Sequence, residues 1–343
     1  SAPAVPFSGQ NRGRPCSAED NSGDQMKLII QIPCFNEEAT LPATLADLPR
    51  AVPGFDVVEW LIVDDGSTDR TVEVAQAHGV DHIVRLSHNQ GLAAAFMSGI
   101  EAALHARADV IVNTDGDNQY RADCIADLTA PIVERRAQIV VGARPIGAIS
   151  HFSPVKRGLQ TLGSWVVRKA SGTDIADAPS GFRAFHRDAA LQLYVFNRYT
   201  YTLETIMQAG RLGIPTVSVP VEVNGPTRES RLMRSVAQYI LRSAATILRI
   251  AALYSPARFF AGIAAIIMAP GLFAFLRFLY FYAVGQGDGH VQSLVMGAGL
   301  VAAGTVVLMA GMIADMVAAN RILLADVRGR LLRAELDRAG NRW

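Results

Sequence analysis

Two stretches near the end of the chain constrain its fold more than any others. Phe259 to Leu276 is 18 residues without a charged side chain, and Val291 to Ala314 is 24. At a rise of 1.5 Å per residue, either can cross about 30 Å of hydrocarbon as a helix. Both are apolar all round, so they read as two membrane spans, about 259–284 and 291–319, rather than as core helices. The connector GQGDGH has no Lys or Arg, whereas Arg258 precedes the pair and Arg321, Arg328, Arg330 and Arg333 follow it. The positive-inside rule then puts both ends of a tight hairpin, and everything before it, on the cytoplasmic side. The expectation is an inner-membrane protein with two spans and cytosolic termini.

The rest of the chain has the texture of a water-soluble domain. Of 343 residues, 50% are hydrophobic and 18% charged, an apolar surplus that the spans absorb. The net charge of +1 argues against a nucleic-acid binder. Cys16, Cys34 and Cys124 form no CxxC pair, which argues against a disulfide framework or thiolate metal site. Residues 1–25, rich in Pro, Gly, Ser and Asn, read as a disordered tail. In 26–225, the runs KLIIQIP, VEWLIVDD, DHIVRL, ADVIVNTD, AQIVVGAR and IPTVSVPVEV alternate with helical stretches. Short apolar runs of unbroken polarity suit strands buried on both faces, so the fold class is α/β with a mostly parallel sheet. Residues 226–258 interleave six arginines with Leu and Ile, as in amphipathic juxtamembrane helices lying among lipid headgroups. Residues 320–343 read as a basic cytosolic segment.

In such sheets ligands bind beyond the carboxyl ends of the strands. Three runs end in IPCFNEE, VDDGSTD and NTDGDNQY, delivering acids and amides to one rim. Asp115 and Asp117 can give a divalent cation two hard oxygens and Gln119 a third, although DGDN alone also reads as a turn. Such an ion would stabilise a diphosphate leaving group. Asp64 and Asp65 can accept from ribose hydroxyls or base N–H groups, or one of them can cap the helix begun at 67–71. Phe35 offers a stacking face. Gly91 and Gly99 permit either close helix packing or backbone approach to phosphate.

IPCFNEE, VDDGSTD, NQGLAAAFMSG, DGDNQ and SGFRAF, in this order, resemble an inverting family 2 glycosyltransferase of the GT-A fold over about 26–224. With the basic segment and two spans, the chain is similar more narrowly to the polyprenyl-phosphate glycosyltransferases, the group containing dolichol-phosphate mannose synthase. The resemblance implies a nucleotide sugar as donor and a polyprenyl phosphate in the membrane as acceptor. It also implies Mg2+ or Mn2+ on Asp115, Asp117 and Gln119. Pro33, Phe35, Glu37, Asp64, Asp65, Gly91 and Gly116 would line the nucleotide-sugar site. Leu92 and Ala93 stand where many members carry a basic residue after the glycine. No Q-x-x-R-W sequence occurs, which disfavours a polysaccharide-extending enzyme.

The acceptor phosphate calls for cations, since arginine's planar fork matches phosphate oxygens. Arg144, Lys156, Arg157 and Arg183 are candidates. The resemblance implies Arg144 and Arg157 with the hydroxyl of Thr161, and assigns Arg228 and Arg231 of TRESRL to the same role more loosely. Glu204 stands where inverting enzymes place a base. A phosphate monoester has its second pKa near about 6 and needs no deprotonation, so Glu204 reads as an orienting or a structural residue. His88, His151 and His186 lack metal-ligand spacing. Gly297, Gly299, Gly304 and Gly311 offer small-residue faces for helix association, and from them a homo-oligomer is expected.

Overall fold

The computed structural model describes residues 25–145, 164–165, 167–169, 171–195, 201–224, 245, 248–249, 252–285 and 287–340. The sequence calls on 1–24, on Lys156, Arg157 and Thr161, and on Arg228 and Arg231 lie outside them, as does most of 226–258. Seven strands form one sheet: β1 (Lys27–Cys34), β2 (Val57–Asp64), β3 (His82–Arg85), β4 (Val110–Asn113), β5 (Ile139–Ala143), β6 (Arg183–His186) and β7 (Thr216–Pro220). Their spatial order is β3-β2-β1-β4-β6-β5-β7. All neighbours run parallel except β6, which is antiparallel to both β4 and β5. The sequence runs anticipate every strand but β6. That four-residue strand begins with an arginine, and SGFRAF reads as a loop.

Helices cover both faces, which is why the central strands carry unbroken apolar runs. Side chains alternate along each strand. Ile29, Leu61, Val63 and Ile111 therefore pack under α3 (Leu92–His105), α5 (Arg187–Gln192) and α6 (Thr202–Leu212). Leu28, Ile30, Ile32, Ile62 and Val112 pack under α1 (Leu41–Asp47), α2 (Thr71–Ala77) and α4 (Cys124–Val133). Each fully buried aliphatic side chain of this kind stabilises the domain by about 1.5–3 kcal/mol. Gly99 answers the question its sequence context left open. A Cβ there would lie 2.4 Å from Gln31 Oε1 and 2.9 Å from Val63 Cγ2, so this glycine lets α3 press onto β1 and β2.

Beyond the sheet come α7 (Pro256–Ala283), a 3-10 turn (Gly287–His290) and α8 (Val291–Gly340). Both helices are long and apolar enough to cross a membrane, yet only 17% of either apolar window is buried. Ile266, Phe273 and Met316 are each at least 70% exposed, the opposite of a soluble core helix. The hairpin closes on its own glycines. A Cβ on Gly271 would meet Leu300 Cβ at 2.7 Å, one on Gly304 Met268 Cγ at 2.1 Å, and one on Gly311 Phe260 Cβ at 2.5 Å. A Cβ on Gly297 would meet the Gly271 carbonyl oxygen at 2.8 Å, and of the four glycines proposed for association only Gly299 faces open space. Three of the four thus serve packing within the chain, and Gly299 is the one left on an open face.

The segment after the second apolar stretch is helical. α8 does not stop near 319 but runs unbroken to Gly340 and lays its last turns on the α/β domain, with Leu332 and Leu336 inside the α3–α5–α6 core cluster.

Gly99→Ala should destabilise the domain by about 1–3 kcal/mol through overpacking. At about 2–4 °C per kcal/mol for a domain of this size, thermal unfolding will show the loss.

Candidate functional site

The rim is formed where β1, β2 and β4 end together. After β1 the chain turns through Asn36, whose positive φ of 54° suits asparagine. Asn36 N donates to Ser67 Oγ at 3.0 Å, Thr68 N donates to Asn36 Oδ1 at 2.9 Å, and Glu37 N donates to Thr71 Oγ1 at 2.9 Å. The IPCFNEE and VDDGSTD segments are therefore stitched into one wall. Phe35 stands out from it, 39% exposed, as expected of a stacking face. Pro33, one residue before the end of β1, is buried opposite Val63. Glu37 lies on the wall and accepts from Thr40 Oγ1 at 2.6 Å.

The two aspartates after β2 divide their work. Asp65 accepts from Gln90 N at 2.7 Å and Gly91 N at 2.9 Å, so it shapes the loop before α3, where Gly91 sits at φ 96°. Asp64 is fully buried. Its Oδ1 accepts from Ser67 N at 2.9 Å, and its Oδ2 has no hydrogen-bond partner, with Arg85 Nε in ion-pair range at 3.4 Å. Neither caps α2. That helix starts at Thr71, whose N donates to Asp69 Oδ1 at 3.0 Å.

Asp115 and Asp117 follow β4 directly, and their placement depends on a buried polar network beneath them. Gln31 Nε2 donates to Asn113 Oδ1 at 2.9 Å. Asn113 Nδ2 donates to the Gly181 carbonyl at 2.9 Å and the Tyr201 hydroxyl at 2.8 Å. Gly181 N donates to Tyr120 OH at 3.2 Å. The segment before β6 is thereby drawn against the acid: a Cβ on Gly181 would lie 3.3 Å from Asp115 Oδ1 and 2.8 Å from Tyr201 OH. Gly116 is similarly enclosed, its carbonyl accepting from Thr44 Oγ1 at 3.0 Å and its Cβ position 3.3 Å from Cys34 Sγ. Asp117 Oδ1 accepts from Gln119 N at 3.2 Å. Burial pushes the Cys34 thiol far up, and the charges of Glu37, Asp64, Asp115 and Asp69 push it further. The rim is thus a concentrated negative field. Asp115, Asp117 and the Gln119 side-chain carbonyl are hard oxygen donors suited to Mg2+ or Mn2+. Among the described residues no group of three or more His, Cys, Asp or Glu could hold a metal. A cation there would leave positions for phosphate oxygens, as Mg2+ sites usually do.

On the acceptor side the arginines part company. Arg144, at the end of β5, is held by Asp177 through Nε at 2.6 Å and a second guanidinium nitrogen at 3.1 Å, with 17% of its side chain exposed. Burial works against its charge, but the Asp177 hydrogen bonds outweigh it and raise its pKa. Arg183 is a correction. It is fully buried, and donates to the carbonyls of Ser180, Thr202 and Ala178 and to Thr205 Oγ1. Burial pulls its pKa down to about 10, so it stays charged at pH 7 as an internal clamp and offers nothing to a lipid phosphate. Glu204, 5% exposed, hydrogen-bonds Tyr254 between α6 and the hairpin. It lines a cavity with Gln208, Arg211, Ala318 and Arg321.

Sequence reasoning missed Gln31, Asn113, Tyr120, Asp177 and Tyr201. Gln31 had a visible signal as the lone polar residue inside KLIIQIP. Tyr201 had none, because its stacking on Phe96 at 4.0 Å exists only in the fold.

Comparison with known proteins fits this arrangement. Residues 29–193 match Glycosyl transferase family 2. A glycosyltransferase of Mycobacterium bovis without an assigned reaction is 31% identical over 202 residues, 58% of this chain and 85% of that protein. The chain belongs to glycosyl transferase family 2. An undecaprenyl-phosphate mannosyltransferase of Micrococcus luteus is 29% identical over 206 residues, 57% of this chain and 83% of the relative. The same GT-A fold is seen in glucosyl-3-phosphoglycerate synthase from Mycobacterium tuberculosis crystallised with Mn2+, UDP-glucose and phosphoglyceric acid. There the TM-score is 0.52 and the identity 19%, over 67% of this chain and 79% of that one.

Within this family 2 domain, Asn113→Leu would leave Gln31, the Gly181 carbonyl and Tyr201 without their shared partner. Each buried polar group left unpaired costs about 1–3 kcal/mol. A fall in thermal stability, read as a lower unfolding midpoint, is the expected result.

Proposed function

We propose that this family 2 enzyme transfers a sugar from a nucleotide donor to a polyprenyl phosphate in the membrane, with inversion at the anomeric carbon. The observation that carries this reading is the direction in which the hairpin leaves the domain. β6 pairs Arg183 with Asn113 at the rim and His186 with Val110 at the far edge, so α5, which follows β6, lies at the far edge. α6 begins beside Arg183, at the rim. Ala318 and Arg321 of α8 line one cavity with Glu204 of α6, and Gly329 of α8 comes against Leu191 of α5. The apolar half of α8 therefore projects from the rim side, and the donor site faces whatever the hairpin is embedded in. The undecaprenyl-phosphate mannosyltransferase relative supports a lipid phosphate as the group met there.

In this reading a lipid phosphate oxygen attacks the anomeric carbon. The bond to the nucleoside diphosphate breaks, and the diphosphate leaves with the electron pair. The base lies against Phe35, and Asp64 and Asp65 hold the shape of the wall that it meets. Asp115, Asp117 and Gln119 hold Mg2+ or Mn2+, which when bound supplies charge neutralisation for the leaving diphosphate. Arg144, oriented by Asp177, receives the acceptor phosphate. The enzyme's contribution is alignment of two anions that repel in solution. Glu204 is not needed as a base, and its place against Tyr254 fits a structural role.

Purified protein should form a polyprenyl-phosphate sugar from one member of a panel of UDP and GDP sugars, identified by mass spectrometry of the lipid. Chelation, Asp115→Ala or Asp117→Ala should lower turnover by about a hundredfold or more. Undiminished turnover in chelator would sink the metal assignment. Topology is checked separately in a Cys16→Ser background, since Cys34 and Cys124 are buried. A cysteine at Gly289 should react with an impermeant thiol reagent outside the cell, and one at Glu335 should not. The reverse labelling would overturn the cytosolic site.

A further inference from the structure

The last turns of α8 are built as an anchor. Gly329, Leu332 and Leu336 recur at helical spacing and fall on one face. Leu332 and Leu336 are 5% and 8% exposed and pack in the cluster that holds Ala189, Leu191 and Leu193. Gly329 allows the closest approach, since a Cβ there would stand 2.7 Å from the Leu191 carbonyl oxygen. Charged contacts flank this stripe. Arg333 donates to Asp188 at 2.6 Å, and Arg328 lies 3.6 Å from Glu101 and 4.6 Å over the Tyr194 ring. At the rim, α7 starts two residues after Tyr254, which is tied to Glu204 and lies under Arg211 at 5.9 Å. The hairpin is thus fastened to the domain at both of its ends. From Arg321 to Leu336 is about 22 Å of helix, close to the length of a strand of β1's size.

We propose that Ala325 to Leu336 of α8 form a strut that fixes the height and tilt of the donor rim over the bilayer. Gly329, Leu332 and Leu336 are then positioning residues for transfer to a membrane-embedded acceptor. The inference rests on the lipid-acceptor reading above. A lipid phosphate is confined to a plane, so a rim free to swing would meet it in productive geometry for only a fraction of the time. A short, water-dispersed acceptor diffuses to the rim whatever its tilt. A misplacement of about 1 Å can cost about a hundredfold in rate.

The test uses the full chain in vesicles, as Gly329→Leu and as the milder pair Leu332→Ala with Leu336→Ala. Hydrogen exchange over 326–336 reports undocking, and calorimetry with UDP or GDP and Mn2+ reports the donor site. Transfer is measured to a C55 polyprenyl phosphate in the bilayer and to a C10 analogue in solution. The expected result is faster exchange, nucleotide affinity unchanged, C55 transfer down about tenfold to a hundredfold, and C10 transfer within about twofold of wild type. Equal loss on both acceptors, or undocking without loss on C55, would overturn the strut. If nucleotide affinity falls in both variants, the contact belongs to the domain's own core and the proposal also fails. A wild-type chain inactive on both acceptors would overturn the functional reading itself.

Discussion

Everything at the rim depends on one buried hydrogen-bond network, from Gln31 through Asn113 to Gly181 and Tyr201. It joins the middle of β1, the end of β4, the segment entering β6 and the start of α6, all beneath Asp115. A polar network in a core is costly unless its members are satisfied, and specific when they are. Here it fixes which segment lies against Asp115. Gln31 Oε1 has no hydrogen-bond partner, and it is the atom that a Cβ on Gly99 would strike. The close approach of α3 and the network are thus one arrangement. Tyr201, stacked on Phe96, keeps its proton because burial, reinforced by the Asp115 charge, raises its pKa. Its hydroxyl can donate to the Gly181 carbonyl while accepting from Asn113.

Electrostatics separates two kinds of charge. The rim gathers Glu37, Asp64, Asp69 and Asp115 around a neutral thiol, a field that favours a cation. The guanidinium groups behind it are individually restrained. Arg144 keeps a partly exposed fork while Asp177 sets its orientation, and Arg183 has no surface left to offer. Two arginines that look equivalent in sequence therefore serve different ends, one at a surface and one inside.

The legible parts were those with a local signature. Unbroken apolar runs announced six of the seven strands, uncharged lengths announced the hairpin, and three acidic strand ends announced the rim. What escaped depends on chain reversal or distant contact. β6 carries only four residues and takes its direction from the sheet already formed around it. Asp177 and Tyr201 matter through residues 33 and 88 positions away. Asp64 and Asp65 read as an equivalent pair in sequence, but one is buried against Ser67 and Arg85 and the other holds the 88–91 loop, a division that depends on contacts across the fold. The hairpin glycines were read as an outward face because sequence alone does not say which helix lies opposite. The anchoring stripe of α8 was overlooked because its arginines dominate the composition.

The unbroken course of α8 from Val291 to Gly340 carries a consequence for how this chain can vary. A single helix transmits angle as well as distance. One residue inserted between the apolar half and Gly329 would turn the docking face by about 100° and lift it by about 1.5 Å. The segment is therefore phase-locked. Any change in length there alters the facing of the docking stripe, its height, or both. In this helix the spacing between hairpin and domain is written as residue number rather than residue type.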